Sequence, residues 1–294
     1  MAITAAMVKE LREMTGAGMM DCKKALTECD GDLTKASEWL REKGISKAAK
    51  KAGRIAAEGL AKVVTDGNWA CMVEMNSETD FVAKNEMFLT GLNTIANAIL
   101  ANKPADLDAA LAIDVDGQTV NDIIVNETAT IGEKITLRRF QLIEKADGEC
   151  FGVYAHNGGK IVAVTVVTPE NAEVAKFMAM QVASMKPEYV SRDAMPAEVV
   201  EKERHVQMEI VKNDPSLASK PEKVLAGIVE GRVSKSLQEI CLMDQIYFMD
   251  QGQKVGQYLK SVGASVKAMY RYTVGEGIEK RQENFAEEVA DAFK

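Results

Sequence analysis

Histidine is scarce in this sequence of 294 residues, with only His156 and His205 present. Its five cysteines (Cys22, Cys29, Cys71, Cys150 and Cys241) are odd in number and form no CxxC pair. A Cys/His zinc site therefore has little material, and the cysteines read as buried free thiols in a reducing cytoplasm. No stretch approaches the roughly 18 apolar residues of a membrane span. The opening MAITAAMVKELRE is amphipathic and charged, so no signal peptide is expected. Surplus positive charge is missing too: 36 Lys and Arg stand against 44 Asp and Glu, for a net charge of −8. That balance argues against broad attraction to nucleic acid or anionic lipid, while leaving room for a local basic patch. Dinucleotide, Walker and DxDG signatures are all absent. Neither histidine sits in a motif for nucleophilic catalysis or metal binding. An interaction protein is thus favoured over an enzyme.

What is present begins with a compact helical unit. Thr4 caps a first helix carrying Val8, Leu11 and Met14; a Thr-Gly-Ala-Gly break at 15–18 ends it. Cys22, Ala25, Leu26 and Cys29 mark a second helix. Leu33, Ala36, Trp39 and Leu40 mark a third, expected to stop near Gly44. GAGMMDCKK resembles a phosphate loop only superficially, since a helix precedes it and no GK[ST] follows. Met19 and Met20, adjacent at a helix start, cannot both face a core and suit an adaptable contact surface. The Lys-rich stretch 45–59 reads as a solvated helical linker or as a local patch for an anionic partner.

Strand character starts at Leu60. LAKVVT, the turn at 66–68 and WACMVEM form a hairpin signature. NSETDFVAKN (76–85) follows, setting Phe81 beside Asp80 in a strand-to-helix turn. Such a Phe is ordinarily core, and such an Asp ordinarily a helix cap. The next helix carries Phe88, Leu92, Ile95 and Ile99 on one face, with Asn85 as N-cap and Lys103-Pro104 as its end. A shorter helix, an Asp-Gly turn at 116–117, a helix near 119–131 and a strand at 135–143 complete this region.

A repeat is then visible. WACMVEMNSETDFVAK (69–84) lies without a gap on IVAVTVVTPENAEVAK (161–176), and Phe81 falls opposite Glu173. A position that accepts a full charge in one copy makes a solvent-facing Phe plausible in the other. Residues 190–240 interrupt the second copy as two helices, with Val199, Val206 and Ile210 proposed as the stripe of the first. The second carries Leu225, Ile228, Val229 and Val233. Together they read as a projecting antiparallel hairpin suited to spacing or dimer contact. Strand character returns at 245–249 and 264–274 around a short helix, and a tail helix from about Ile278 carries Phe285, Val289 and Phe293.

VKELREMTGAGMMDCKKAL near the start, NSETDFVAKN in the middle and VGEGIEK near the end together resemble the bacterial translation elongation factor Ts family, in order along the whole chain. The resemblance implies an α+β protein. Its parts would be a UBA-like three-helix module with linker (1–54), core subdomains at 55–140 and at 141–189 with 241–263, an inserted helical hairpin (190–240) and a C-terminal strand and helix module (264–294). It further implies guanine-nucleotide exchange on elongation factor Tu in the cytoplasm, without covalent chemistry. GDP, GTP and Mg2+ would belong to the partner, leaving the chain with no cofactor, bound metal, nucleic-acid or membrane partner of its own. In the family's pattern Thr79, Asp80, Phe81 and Val82 dislodge the partner's Mg2+, Met19 and Met20 dock on its GTPase domain, and His156 meets another of its domains. A homodimer or 2:2 complex through the hairpin stays open. Rival readings are a structural adaptor and an enzyme with Asp80 as general base, the latter lacking any accompanying acid, metal or cofactor motif.

Overall fold

The computed structural model describes residues 3–279 apart from Gly16 and Ala218, so the expected tail helix with Phe285, Val289 and Phe293 lies outside the described residues. The fold is α+β, mixing helices with antiparallel sheet. Its contacts divide into two units. The first takes the chain up to Glu144, Asn157–Ile161 and the stretch from Tyr272; the second takes Lys145–His156 and Val162–Arg271.

The first unit opens with α1 (Ala5–Thr15), α2 (Met19–Glu28) and α3 (Leu33–Ala49). Leu11, Cys22, Ala25, Leu26 and Ala36 close a small core among them. Thr4 caps α1 by accepting from the Met7 N–H, and Asp32 caps α3 by accepting from the Lys35 N–H. Gly44 does not stop α3, contrary to expectation, because the glycine is buried against a later helix. A Cβ there would sit 3.5 Å from Ala129. A helix-interior glycine costs up to about 1 kcal/mol, which close helix–helix packing offsets.

Next come β1 (Glu58–Asp66) and β2 (Trp69–Ser77), paired antiparallel with Asp66 opposite Trp69. The two-residue turn between them places Gly67 at positive φ, as a tight hairpin requires. A 3-10 turn at Val82–Lys84 leads into α4 (Glu86–Asn102), which Asn85 caps by accepting from the Met87 N–H. Phe88, Leu92, Ile95 and Ile99 of α4 are buried as their spacing predicts, and Lys103 ends the helix in the left-handed region. Then follow α5 (Leu107–Leu111), the small ladder of β3 (Asp114–Val115) with β4 (Gln118–Thr119), α6 (Val120–Ile131) and β5 (Thr136–Glu144). Strand β5 adds to β2, giving the order β1-β2-β5. α4 and α6 supply the apolar layer that packs with the sheet. The side chain of Arg41 on α3 grips Asp122 of α6 through two bonds of 2.9 Å.

The second unit contains β6 (Cys150–His156) and β7 (Ile161–Thr168), followed by α7 (Ala172–Met185). A pair of long helices comes next: α8 (Ala197–Lys212) and α9 (Glu222–Ile240). The short ladder of β8 (Ile246–Tyr247) with β9 (Asp250–Lys254), α10 (Val255–Ser261) and β10 (Ser265–Thr273) up to Arg271 complete it, the last two residues of β10 being counted with the first unit. Its main sheet has the order β10-β7-β6.

The predicted stripe on α8 is one face off. Val206 and Ile210 are exposed, whereas Val200 and Val211 pack with Val229, Val233 and Leu237 of α9. Between them Arg204 reaches Glu230 of α9 at 2.7 Å. The inward row is therefore 200, 204, 207 and 211, and its arginine hides it from a search for apolar spacing. Among the described residues no helix is long and apolar enough to cross a membrane.

Candidate functional site

The turn after β2 is fixed from below and bare on top. Ser77 Oγ donates to the Thr79 carbonyl at 2.9 Å. Thr79 then donates twice to one carboxylate, from its N–H to Glu133 Oε2 at 2.9 Å and from its hydroxyl to Glu133 Oε1 at 2.8 Å. Neighbouring Glu78 accepts from the Lys134 N–H and is paired with Arg54 at 3.2 Å, while Lys134 Nζ donates to the Ala52 and Arg54 carbonyls. The loop, the segment before β1 and the Glu133-Lys134 turn are thus tied into one polar knot.

On the other side Val82, 7% exposed, and Ala83 are sunk in the core. Phe81 stands between these anchors with ordinary right-handed helical angles, and 79% of its surface is exposed. Burying an aromatic ring is among the larger stabilising contributions a single residue can make. An aromatic ring this exposed on a loop whose backbone is this well held makes the apex a candidate contact point.

Asp80 is paired with Lys84, one helical turn on, at 2.9 Å. The Lys84 ammonium holds the Asp80 carboxyl below its usual range. That ammonium also lies 5.9 Å from the Phe81 ring centre, so the apex carries an aromatic face, an anion and a cation together. Asp80 is not the helix cap its type suggests. The N-cap of the Val82–Lys84 turn is Phe81, without a side-chain cap bond, and it is the Thr79 hydroxyl that accepts from the Val82 N–H, at 3.4 Å. In the second unit Asn171, which lies on Thr79 in the repeat register, does the same for the Val174 N–H at 3.1 Å. Val174 and Ala175 are buried and Glu173 exposed, matching Val82, Ala83 and Phe81. One difference corrects the repeat: Val174-Ala175-Lys176 lies inside α7, whereas Val82-Ala83-Lys84 is a separate 3-10 turn before α4.

Met19 and Met20 both point to solvent at the start of α2, 60% and 75% exposed. His156 ends β6 half-buried, its Nδ1 3.1 Å from the Tyr154 hydroxyl. Cys22, Cys71, Cys150 and Cys241 are buried and Cys29 half-buried, all free; burial pushes the Cys71 thiol up to about 12, far from thiolate chemistry. Among the described residues no group of three or more His, Cys, Asp or Glu side chains is placed to hold a metal ion.

Sequence reading missed the partners that make the loop rigid. Glu133 lies 54 residues from Thr79, and no local pattern couples the two. It also missed a buried ion cluster under the sheet. Glu74, fully buried on β2, accepts from Arg138 at 2.9 Å, Arg139 at 2.6 Å and the Gly275 N–H at 2.8 Å. Burial opposes its charge, but the Gly275 N–H and the two guanidinium groups outweigh that and keep its pKa below the usual carboxylate range.

Comparison with known proteins bears on the same region. The sequence model of a family described as Elongation factor TS matches residues 78–276. A protein named Elongation factor Ts from Lacticaseibacillus casei (strain BL23) is 54% identical over 293 residues, covering 99% of each chain. Its counterpart from Lacticaseibacillus paracasei (strain ATCC 334) is similar to the same extent, at 54% identity over 293 residues.

Proposed function

The chain belongs to the elongation factor Ts family, and from that membership we propose that it is a guanine-nucleotide exchange factor for elongation factor Tu in translation elongation. The observation that carries the mechanism is the bare phenyl ring of Phe81 on a loop pinned by Glu133 and Val82. Pressed into the GTPase, that ring gains roughly 2–3 kcal/mol by its burial, enough to support a small displacement of a partner helix. Asp80 and Lys84 sit beside it to engage polar groups near the partner's Mg2+. Shifting a ligand of that ion weakens nucleotide binding at its most charged end. Linkage makes the effect reciprocal, so GDP weakens the factor's hold by the same ratio and GTP displaces it by mass action. No bond in either protein is made or broken.

The exposed pair Met19 and Met20 on the three-helix, UBA-like module supplies an adaptable apolar contact for the GTPase domain, and His156 at the end of β6 a contact for another domain. The two three-stranded sheets, each a hairpin joined by a later strand, support the reading of two related core subdomains. The α8–α9 hairpin is assigned to spacing or to a homodimer or 2:2 assembly.

Release of fluorescent GDP from purified elongation factor Tu tests this reading. Saturating wild-type chain should accelerate release. Phe81→Ala should slow the accelerated rate about thirtyfold, as loss of roughly 2 kcal/mol of contact requires, while its melting temperature barely moves, because the ring is exposed. Binding without acceleration by the wild type would leave only an adaptor role. Unfolding of the mutant would return Phe81 to the core.

A further inference from the structure

Glu127, on α6, has no part in the contacts above and is out of place in an apolar layer. It is 4% exposed, and its Oε2 is buried without a hydrogen-bond partner. Its carboxyl group rests on α4 at Gly91, where a Cβ would lie 1.7 Å from Oε1, so the glycine leaves the space the carboxyl occupies. The residue also lines a groove of about 600 Å³ bounded by α4, α6 and the β3–β4 turn. Two further carboxyl groups, Glu86 at the start of α4 and Asp116 in the β3–β4 turn, line that groove, and Lys, Arg and His are absent from its lining. Thr90, Thr94 and Thr130 add hydroxyl acceptors.

We propose that this groove is a binding site for a primary alkylammonium group, with Glu127 as its buried counter-ion. Three N–H donors on a compact cation match the carboxyl and hydroxyl oxygens of this lining, which the side-chain amides of Gln118 and Asn126 complete. Met87 and Ile123 in the same lining suit the methylene chain that carries such a group. A multidentate metal ion is a poorer match, since the described acidic side chains do not converge into a cluster of three. Burial without a cation pushes the Glu127 carboxyl up to about 8, so it holds its proton at neutral pH. An ammonium group seated beside it favours the carboxylate, and the proton leaves to solvent as the cation enters.

The consequence is measurable by titration calorimetry on the full chain, using 1,5-diaminopentane as one probe and Nα-acetyl-lysine-N-methylamide as the other. Repeating each titration at pH 7 in buffers of different ionisation enthalpy counts protons released. Saturable binding should release close to one proton per site at pH 7 and almost none at pH 9.5. In Glu127→Gln, binding should weaken at least tenfold and the proton release should vanish, while thermal melting confirms that the variant is folded. Tighter binding of the diamine points to a free polyamine, and tighter binding of the lysine amide to a side chain of a protein partner. Absence of saturable binding by both probes, or binding without proton release that Glu127→Gln leaves unchanged, overturns the proposal.

Discussion

Glu127 and Phe81 are each a residue in an environment that does not suit it. For Glu127 the cost varies with pH. In the unfolded chain its carboxyl loses its proton near pH 4.5, but in the fold it keeps it until about 8. Below pH 4.5 both states are protonated and the residue costs nothing on this account. Between the two values only the unfolded state ionises, so stability falls as pH rises, levelling off above pH 8 after a loss on the order of 5 kcal/mol. Glu127→Gln removes this slope. Urea unfolding at pH 5 and at pH 8.5 should show the variant gaining on wild type by several kcal/mol at the higher pH and little at the lower. Equal gains at both would mean that the carboxyl is charged in the fold. None of this was legible in the sequence, where Glu127 is one glutamate in a helix of mixed polarity. Phe81 was partly legible, because Glu173 in the repeat register signals a solvent-facing position. What holds Phe81 up, the bond pair from Thr79 to Glu133, joins loops far apart in sequence and leaves no periodic trace.

At the scale of elements, legibility follows how local the determining physics is. Helix α4 was readable end to end: Asn85 caps it, its apolar residues recur at helical spacing and Lys103-Pro104 closes it. The β1–β2 hairpin was equally plain from its turn. Gly44 misled because glycine ends helices by backbone freedom but also permits helices to approach, and only the neighbouring α6 decides between these roles. On α8 the apolar spacing of Val206 and Ile210 was real but outward, since Arg204 occupies the inward row and satisfies its charge on Glu230. The two faces can be separated by mutation. Val211→Ala should lower the stability of the second unit by about 1–3 kcal/mol, because Val211 is buried against α9. Val206→Ala should stay within about 0.5 kcal/mol. Thermal unfolding followed by circular dichroism checks both, and a costly Val206→Ala would place a partner on that face.

At the scale of the whole molecule, the first unit is assembled from pieces of chain that are not contiguous, and Glu74 is where this matters most. Two of its partners, Arg138 and Arg139, follow it by about sixty residues, but the Gly275 N–H lies 201 residues downstream. Arg138 also donates to the Glu276 carbonyl, and Arg139 to that of Thr273. A buried carboxylate short of a donor is costly. Synthesis runs from the N-terminus, so a nascent chain carries Glu74, Arg138 and Arg139 outside the ribosome long before the 273–276 turn exists. The first unit therefore begins first and finishes last, after the second unit has been made. Stalled nascent chains should show this directly. With residue 276 still inside the exit tunnel, the β1-β2-β5 sheet should be cut readily by added protease; with it outside, the same sheet should resist. Equal resistance in both would mean that the two arginines alone suffice for Glu74. The loop after β2 has a different timing, because its own anchors, Glu133 and Lys134, are made more than a hundred residues before the 273–276 turn.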